Sequence, residues 1–276
     1  MADDEPKALP VALTIAGLDP SGGAGVIADI KTFTAFDCFA TAAITSLTFQ
    51  NTLSVRGAVH QTAATVRAQV LPLIEDFDVA SVKTGMLPTV EVIAEVARLF
   101  RETTLPAPVV DPVIRSTSGD DLIDDAALNA LVKALIPLAR VVTPNIPEAE
   151  RITGLRITNE QDMREAARVM RNKGARAVLV KGGHLAGEAI DVLDDEGRVT
   201  IFHGARIETK NTHGTGCTLA AAIAACLAHE LDLENAVEAA KRFVADAIRH
   251  APQLGHGHGP VNHAVRAFFD SGNRES

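Results

Sequence analysis

The sequence predicts an α/β protein with a mostly parallel central sheet and helices on both of its faces. Short apolar runs alternate along the chain with amphipathic segments, which is typical of parallel strands joined by helical crossovers. The apolar runs are mostly continuous, as in strands that are buried on both faces. Several of them end at Gly-rich or polar clusters, and ligands bind beyond the carboxyl ends of the strands in such sheets.

The first half of the chain begins with the strand Val11–Ala16, a short apolar run that ends at a glycine. A helix is predicted over Gly22–Phe36, because apolar residues recur there at helical spacing. The segment Thr41–Phe49 is rich in Thr, Ile, Leu and Phe and predicts a second strand. A helix, a strand and another helix are then predicted in the order Thr62–Glu75, Val79–Lys83 and Thr89–Arg101.

The second half continues the alternation with shorter apolar runs. Its predicted strands and helices follow in the order Pro108–Asp111, Ala126–Ile136, Arg140–Thr143, Glu160–Lys173 and Ala177–Lys181. Ala189–Asp194 and Val199–His203 form a meander around a predicted turn, and two long helices, Gly216–Ala228 and Leu233–Arg249, complete the fold. We expect one domain over residues 11–270, with flexible ends at 1–10 and 271–276.

Composition excludes several classes of function. The 276 residues carry 35 acidic and 26 basic side chains, and the net charge of −9 argues against nucleic acid as a partner. The chain has no Trp and no Tyr on which bases could stack. The longest apolar run, Leu219–Ala228, has about half of the roughly 20 residues that a membrane span needs. Three cysteines and an acidic N-terminus predict a cytoplasmic protein.

The segment Thr212–Cys217 (THGTGC) precedes an apolar helix. Its glycines allow close approach to a ligand, and the helix start offers unpaired N–H groups and partial positive charge, which together predict an anion hole. Cys217 at that start is expected to have a lowered pKa. A glycine turn before a core helix is the alternative interpretation. Cys226, nine residues further on, is predicted to pack in the core.

A second glycine-rich loop spans Ala16–Gly25 (AGLDPSGGAG). It does not match the P-loop pattern, because Gly23 and Ala24 stand where Lys and Ser or Thr are required. The stretch Gly23–Ala28 matches the looser GxGxxA pattern of dinucleotide folds. An NAD-dependent oxidoreductase therefore stays open as a weaker alternative on this loop.

Further polar groups follow predicted strands. Asn145 and Glu148 stand three residues apart where a strand enters a helix, so both could face a hydrated Mg²⁺ beside a phosphate. A capped helix start is the alternative for this pair. Lys181 ends a strand beside two glycines and is a candidate phosphate contact, and Asp111 follows an apolar strand. The histidines of the tract 255–263 (GHGHGPVNH) could bind zinc, but no CxxC or HExxH accompanies them, and a turn is favoured.

Taken in order and spacing, these blocks resemble the hydroxymethylpyrimidine and phosphomethylpyrimidine kinases of thiamine biosynthesis, which belong to the ribokinase-like superfamily. The resemblance covers roughly residues 11–265. Its blocks are IAGLDPSGGAG (15–25), ADIKTF (28–33), QNT (50–52), KTGML (83–87), DPV (111–113), STSGDDL (116–122), TPNIPEAE (143–150), KGGH (181–184), TKNTHGTGCTLAAAIAA (209–225) and GHGPVNH (257–263). The ending GTGC is the most specific signal, since most ribokinase-like enzymes carry Asp where this chain has Cys217.

The resemblance implies a three-layer sandwich, MgATP-dependent phosphoryl transfer and a homodimer. It implies that Cys217 is the base, that Gly214 and Gly216 form the anion hole, and that Asp111 and Glu148 organise Mg²⁺. The implied ATP contacts are Asn145, Lys181, Thr209, Thr212, Gly214 and Gly216, with Lys181 also counted as catalytic. The implied pyrimidine contacts are Gly17, Asp29, Gln50, Met86 and Val113.

Alternatives remain beside this interpretation. A pyridoxal-type vitamin kinase shares the fold, because pyridoxine also carries a hydroxymethyl group on a flat nitrogen ring. A nucleotide-sensing module without turnover is disfavoured by the intact GTGC. The chain departs from the family pattern at Leu18, Arg115 and Thr117. We hypothesise that Arg115 supplies the positive charge that Thr117, at a position often held by Lys, does not.

Overall fold

The computed structural model describes residues 8–115, 119, 121–183 and 189–267. Its strands are, in chain order, β1 (Val11–Leu18), β2 (Phe39–Gln50), β3 (Val55–His60), β4 (Val79–Thr84), β5 (Val109–Val110), β6 (Val141–Val142), β7 (Ala177–Lys181), β8 (Asp191–Asp195) and β9 (Arg198–Phe202). Of the predicted flexible ends at 1–10 and 271–276, residues 1–7 and 271–276 lie outside this range. The domain boundary at 11–270 stays a prediction.

The strands form one sheet in the order β3-β2-β1-β4-β5-β6-β7-β8-β9. Neighbouring strands from β2 through β7 in this order run parallel. The edge strands β3 and β9 and the penultimate strand β8 are antiparallel to their neighbours. The mostly parallel sheet is therefore confirmed, and the carboxyl ends of its parallel strands lie along one edge.

The helices cover both faces of the sheet. They are α1 (Gly25–Ala35), α2 (Ala63–Asp76), α3 (Val90–Glu102), α4 (Asp125–Ala130), α5 (Ile146–Thr153), α6 (Glu160–Asn172), α7 (Thr215–Ala228) and α8 (Leu233–Arg249). One hydrophobic cluster packs α2 to α6 against the sheet, and the other packs α1, α7 and α8 against the opposite face. The three-layer arrangement is therefore confirmed.

Successive side chains of a strand point to opposite faces of the sheet, so one strand contributes to both hydrophobic clusters. In β1, Leu13 and Ile15 belong to the core beneath α2 to α6, whereas the preceding Ala12 belongs to the core beneath α7 and α8. The helix α7 is buried along most of its length, and its many alanines let it approach the sheet closely. No helix in the described part of the chain is both long and apolar enough to cross a membrane.

The structure differs from the predicted elements at a few places. Strand β3 was not predicted, because Arg56 and Gly57 interrupt its apolar pattern, and it forms by pairing with β2. Helix α1 begins at Gly25 rather than Gly22, and Gly22 has a left-handed φ of 74° that the interior of a helix does not allow. The predicted helix Ala126–Ile136 is regular only over α4, and then continues as a π turn and a 3₁₀ turn to residue 138.

Candidate active site

A cavity of about 1510 Å³ opens at the carboxyl edge of the parallel strands. It collects predicted residues from widely separated segments of the chain. They are Gly17, Gln50, Met86, Asp111, Val113, Asn145, Glu148, Lys181, Thr212, Gly214, Gly216 and Cys217. The topology explains the convergence, because these residues lie at or just beyond the ends of parallel strands or at the starts of adjoining helices.

The loop before α7 combines several groups that attract an anion. Gly214 precedes the first turn of α7 with a left-handed φ of 80°. A Cβ there would lie 1.8 Å from the carbonyl oxygen of Gly23, so only glycine fits where the two loops touch. A Cβ on Gly216 would lie 3.3 Å from Lys181 Nζ and 3.9 Å from Asp111 Oδ2. An anion at this helix start would therefore meet both the helix dipole and a lysine.

Two buried carboxylates lie beside Lys181. Lys181 Nζ is 3.3 Å from Asp111 Oδ1. Burial raises the pKa of Glu148; the Asp111 carboxylate adds to that rise, whereas the Lys181 ammonium opposes it. Glu148 also caps α5, since it accepts a 2.8 Å hydrogen bond from the Asn145 N–H and donates its own N–H to Asn145 Oδ1 at 2.9 Å. The capping interpretation therefore holds for a pair that also lines the cavity.

The predicted low pKa of Cys217 is wrong for the ligand-free protein. Burial raises the pKa of this thiol to about 12, and the carboxylates of Asp111 and Asp29 add to the rise. The Lys83 ammonium and a hydrogen bond from the Gly25 backbone oppose it. A helix start favours a thiolate, but the loss of water and the two carboxylates outweigh that preference. Cys217 is therefore a thiol at neutral pH.

We expect iodoacetamide to alkylate Cys217 slowly at pH 7 and about tenfold faster for each further pH unit up to 9, because only the thiolate reacts. A thiol with a pKa of about 12 stays below its midpoint over this whole range. Mass spectrometry of peptides from timed samples measures the rate. The buried Cys38 and Cys226 are internal controls that should react later. A rate that has already levelled off at pH 7 would contradict the raised pKa.

The prediction that Asp29 lines the pyrimidine side is wrong. Its fully buried carboxylate lies 2.8 and 3.0 Å from Lys83 Nζ and accepts a 2.6 Å hydrogen bond from the Thr14 hydroxyl. Lys83 is the member of this ion pair that reaches the cavity wall. Sequence reasoning gave Lys83 no role, although a lysine near the end of a buried strand is the pattern that singled out Lys181.

Thr209 also differs from its prediction. It does not line the cavity, and its hydroxyl accepts a 3.1 Å hydrogen bond from the Asn211 N–H. Thr209 therefore shapes the chain that leads into the loop before α7. Thr212, three residues further on, lines the cavity as predicted.

A hydrogen-bonded hub joins the two glycine-rich loops. His213 Nε2 lies 2.7 Å from Asp19 Oδ2, and Ser21 donates both its N–H and its hydroxyl to the same carboxylate. Burial raises the pKa of Asp19, but hydrogen bonds from His213, Gln50 and Ser21 outweigh it and lower the pKa to about 2. Asp19 and His213 had no predicted role. Their pairing depends on a contact between segments 194 residues apart.

The opposite wall of the cavity is mainly apolar. A Cβ on Gly17 would lie 3.0 Å from Met86 Sδ, so the missing side chain leaves room for the thioether. The Met86 carbonyl accepts a 2.6 Å hydrogen bond from the Thr45 hydroxyl, which fixes this segment. Val113 has a φ of 33°, which is costly for a β-branched residue and is the kind of backbone strain found at ligand sites.

Two other motifs have structural interpretations. Cys226 is fully buried in the core, as predicted. Within the described residues, no group of three or more His, Cys, Asp or Glu side chains could hold a metal ion. The histidines of the tract 255–263 are not part of such a group within the described residues. His184 of the KGGH block lies outside the described residues.

Comparison with known proteins gives consistent matches over most of the chain. A family model described as phosphomethylpyrimidine kinase matches residues 19–262. A hydroxymethylpyrimidine/phosphomethylpyrimidine kinase of Streptomyces coelicolor is 43% identical over 95% of this chain and 97% of its own. The thiamine biosynthesis bifunctional protein ThiED of Geobacter sulfurreducens is 48% identical over 92% of this chain, which spans only 52% of that longer protein.

Solved structures agree with the fold. The crystal structure of an ADP complex of Bacillus subtilis pyridoxal kinase superposes with a TM-score of 0.86 at 36% sequence identity. The match covers 93% of this chain and 98% of that one. The same architecture is thus found in a vitamin kinase with ADP bound.

Proposed function

The chain belongs to the phosphomethylpyrimidine kinase family, and on that premise we propose that it phosphorylates 4-amino-5-hydroxymethyl-2-methylpyrimidine and then its monophosphate. ATP is the proposed donor, the diphosphate is the product, and thiamine biosynthesis in the cytoplasm is the proposed setting. One observation carries the proposal. The start of α7 suits a phosphate and has Lys181 and Asp111 beside it. The same cavity is also lined by Gln50 and Met86, which suit a pyrimidine ring.

We propose that the pyrimidine lies against Gly17, Gln50, Met86 and Val113. The amide of Gln50 can both donate and accept hydrogen bonds, as an aminopyrimidine edge requires, and it lies close enough to Asp19 to lower the pKa of that carboxyl. Met86 is apolar and adaptable, which suits the face of a flat ring.

The phosphates of ATP are proposed to lie at the start of α7. Phosphoryl transfer requires mainly positioning and neutralisation of charge. The backbone at Gly214 and Gly216 offers donors without a side chain in the way, and Lys181 adds a cation beside them. Burial lowers the pKa of Lys181, but the carboxylates of Asp111 and Glu148 raise it by a larger amount. The pKa is therefore raised overall, and this lysine stays charged. Asn145 and Thr212 complete the proposed nucleotide contacts.

Mg²⁺ fits the carboxylates of Asp111 and Glu148. This ion takes one or two carboxylate oxygens together with phosphate oxygens and water, and both side chains are buried on the wall that faces the proposed phosphates. The Asp111 carboxylate raises the pKa of Glu148, so a cation between them would relieve their repulsion. We propose that these two residues hold Mg²⁺, which would neutralise charge on the transferred phosphoryl group.

Cys217 is proposed to take the proton of the attacking hydroxymethyl group. Its thiol is protonated in the ligand-free protein, and the Asp111 carboxylate contributes to that state. Neutralisation of Asp111 removes this contribution, while the Lys83 ammonium still favours the thiolate. We therefore expect the pKa of the thiol to fall when the site is filled, although burial still raises it. The buried Asp29 acts indirectly, because it fixes the position of Lys83.

The decisive experiment offers MgATP with the free pyrimidine, its monophosphate or pyridoxal in separate tubes and resolves the products by mass. We expect diphosphate from the free pyrimidine. Turnover of the monophosphate alone would limit the enzyme to the second step. Turnover of pyridoxal alone would favour the second candidate, a pyridoxal kinase, which the similarity to the Bacillus subtilis enzyme supports. No turnover of any acceptor would contradict a kinase.

Arg115 lines the cavity and donates a 3.0 Å hydrogen bond from Nε to Asp121 Oδ1, while Thr117 lies outside the described residues. We expect Arg115→Ala to raise the Michaelis constant for ATP or for the phosphorylated pyrimidine by roughly 5–50-fold, the usual weight of a lost charge-assisted hydrogen bond. Steady-state kinetics with each substrate varied in turn measures the change. Unchanged constants for both substrates would remove Arg115 from the phosphate contacts.

We also propose that the protein is a homodimer. Leu47, Phe49 and Val59 form an exposed apolar face on β2 and β3, and Leu47 lies directly opposite Val59 in the pairing. Thr48 and Gln50, which alternate with Leu47 and Phe49 along β2, line the cavity instead. Adjacent exposed apolar side chains of this kind commonly mark protein interfaces, and a second copy of the chain is the proposed occupant.

We expect Leu47→Glu combined with Val59→Glu to convert the dimer to a monomer, because two charges would be buried in its interface. Size-exclusion chromatography with light scattering measures the mass. Val90→Glu is the control, since Val90 is an exposed apolar residue at the start of α3. A wild-type protein that is monomeric, or a double variant that stays dimeric, would contradict this interface.

A further inference from the structure

The segment Gly255–His263, here called the strap, contacts Thr52, which lies next to one part of the cavity wall, and His213, which lines another part. It contains the Gly-His-Gly-His-Gly-Pro motif, to which the proposed function gives no role. One part of the strap meets the turn between β2 and β3, which follows Gln50. The other part meets the loop before α7. Both sets of contacts involve the backbone of the strap.

The first anchor of the strap is Thr52. The His258 N–H donates to the Thr52 carbonyl at 3.0 Å, and the Gly257 N–H donates to the Thr52 hydroxyl at 3.3 Å. A Cβ on Gly257 would lie 2.0 Å from the Thr52 carbonyl oxygen, so the strap can approach Thr52 this closely only with glycine at position 257. Thr52 stands two residues after Gln50, which lines the pyrimidine side of the cavity.

The second anchor is the loop that leads into the anion hole. The His213 N–H donates to the Gly259 carbonyl at 3.1 Å, and His213 precedes Gly214. A Cβ on Gly259 would lie 2.1 Å from Asn211 Oδ1. At the end of the strap, the buried His263 hydrogen-bonds the Thr218 hydroxyl of α7 at 3.0 Å.

We infer that the strap is a positioning element that sets the distance between the pyrimidine wall and the anion hole. Thr52 and His213 are distant in the sequence, and the backbone of the strap joins them across only a few residues. Phosphoryl transfer depends on the separation of the hydroxyl from the phosphorus, and a displacement of about 1 Å can cost about 100-fold in rate. The exposed imidazole of His256 takes no part in this role.

This inference rests on the proposed function, and kinetics of variants tests it. We expect Gly257→Ala to raise the Michaelis constant for the pyrimidine about tenfold and to lower kcat by roughly 10–100-fold, with the constant for ATP within about twofold of wild type. His256→Ala is the matched control in the same segment and should keep wild-type constants. Wild-type constants in Gly257→Ala, or equal losses for both substrates, would overturn the inference.

If Gly257→Ala fails to fold, a second pair of variants tests the same inference. A Cβ on Gly259 would meet the Asn211 side chain at 2.1 Å and the Leu254 carbonyl oxygen at 3.0 Å, so removing the Asn211 side chain should relieve the closer of the two contacts. We expect Gly259→Ala alone to lose roughly 10–100-fold in kcat and Gly259→Ala with Asn211→Ala to recover most of the loss relative to Asn211→Ala alone. A double variant no better than Gly259→Ala would contradict positioning through this contact.

The proposed function and the strap fail in distinguishable ways. Turnover by the wild-type protein alone decides the acceptor, whereas the strap is judged by the ratio of each variant to wild type. The variants are therefore assayed with whichever acceptor the wild type phosphorylates. If that acceptor is pyridoxal, the substrate assignment fails while the strap is still tested.

Discussion

Replacement of Cys217 by alanine is expected to lower kcat by roughly 10²–10⁴-fold and to leave the affinity for ATP within about twofold of wild type. The side chain lines the cavity at the first turn of α7, beside the residues proposed to hold the phosphates. Alanine removes the proposed proton acceptor but keeps the helix and its N–H groups. Steady-state kinetics gives kcat, and calorimetry with a non-hydrolysable ATP analogue gives the affinity.

Cys217→Ser is the control for size and polarity. Serine nearly preserves the shape of the side chain, but its hydroxyl is a much weaker acid than a thiol and does not supply a comparable base. We expect the serine variant to be nearly as inactive as the alanine variant. Wild-type turnover in Cys217→Ala would contradict a catalytic thiol, and wild-type turnover in Cys217→Ser would reduce the role of Cys217 to packing.

Replacement of Gly214 by alanine is expected to lower kcat/KM by about 100-fold or more. Its Cβ would lie 1.8 Å from the Gly23 carbonyl oxygen, and its φ of 80° disfavours any side chain. The loop before α7 must therefore move away from the first glycine-rich loop, which displaces the proposed anion hole. Steady-state kinetics measures the loss, and circular dichroism shows whether the protein remains folded.

The loss in Gly214→Ala has two causes, the contact with the Gly23 carbonyl and the positive φ. Gly154→Ala separates them. Gly154 has a similar φ of 77°, but a Cβ there would meet no atom within 4 Å, and the residue ends α5 away from the cavity. We expect this variant to lose about 1–2 kcal/mol of stability and to keep wild-type turnover. Equal turnover in Gly154→Ala and Gly214→Ala would contradict the role assigned to the contact between the loops.

Local patterns in the sequence predict much of the fold. The buried strands and amphipathic helices were recognisable because each has its own hydrophobic period over a few residues. Strand β3 was missed because its apolar pattern is broken, and only its pairing with β2 makes it a strand. The distortion after α4 has the same character, since Leu131–Leu135 keeps a helical sequence while its hydrogen bonds shift to a π turn.

Most of the cavity lining was also predictable, since clusters that follow parallel strands meet at one edge of the sheet. The roles of single residues were less predictable from the sequence. Lys83 was overlooked and Asp29 was assigned to the wrong surface, because nothing local in the sequence shows that they pair with each other. The hydrogen bond of His213 to Asp19 likewise joins segments that only the folded chain brings together.

The sequence by itself determined the α/β class, the glycine-rich approach to an anion and the family resemblance, because these depend on residue types at fixed short spacings. Only the tertiary structure decided that Cys217 is a thiol at neutral pH, that Asp29 is buried against Lys83 and that Thr209 lies outside the cavity lining. Protonation and exposure depend on the water and charges around a group. Those surroundings come from segments that are distant along the chain.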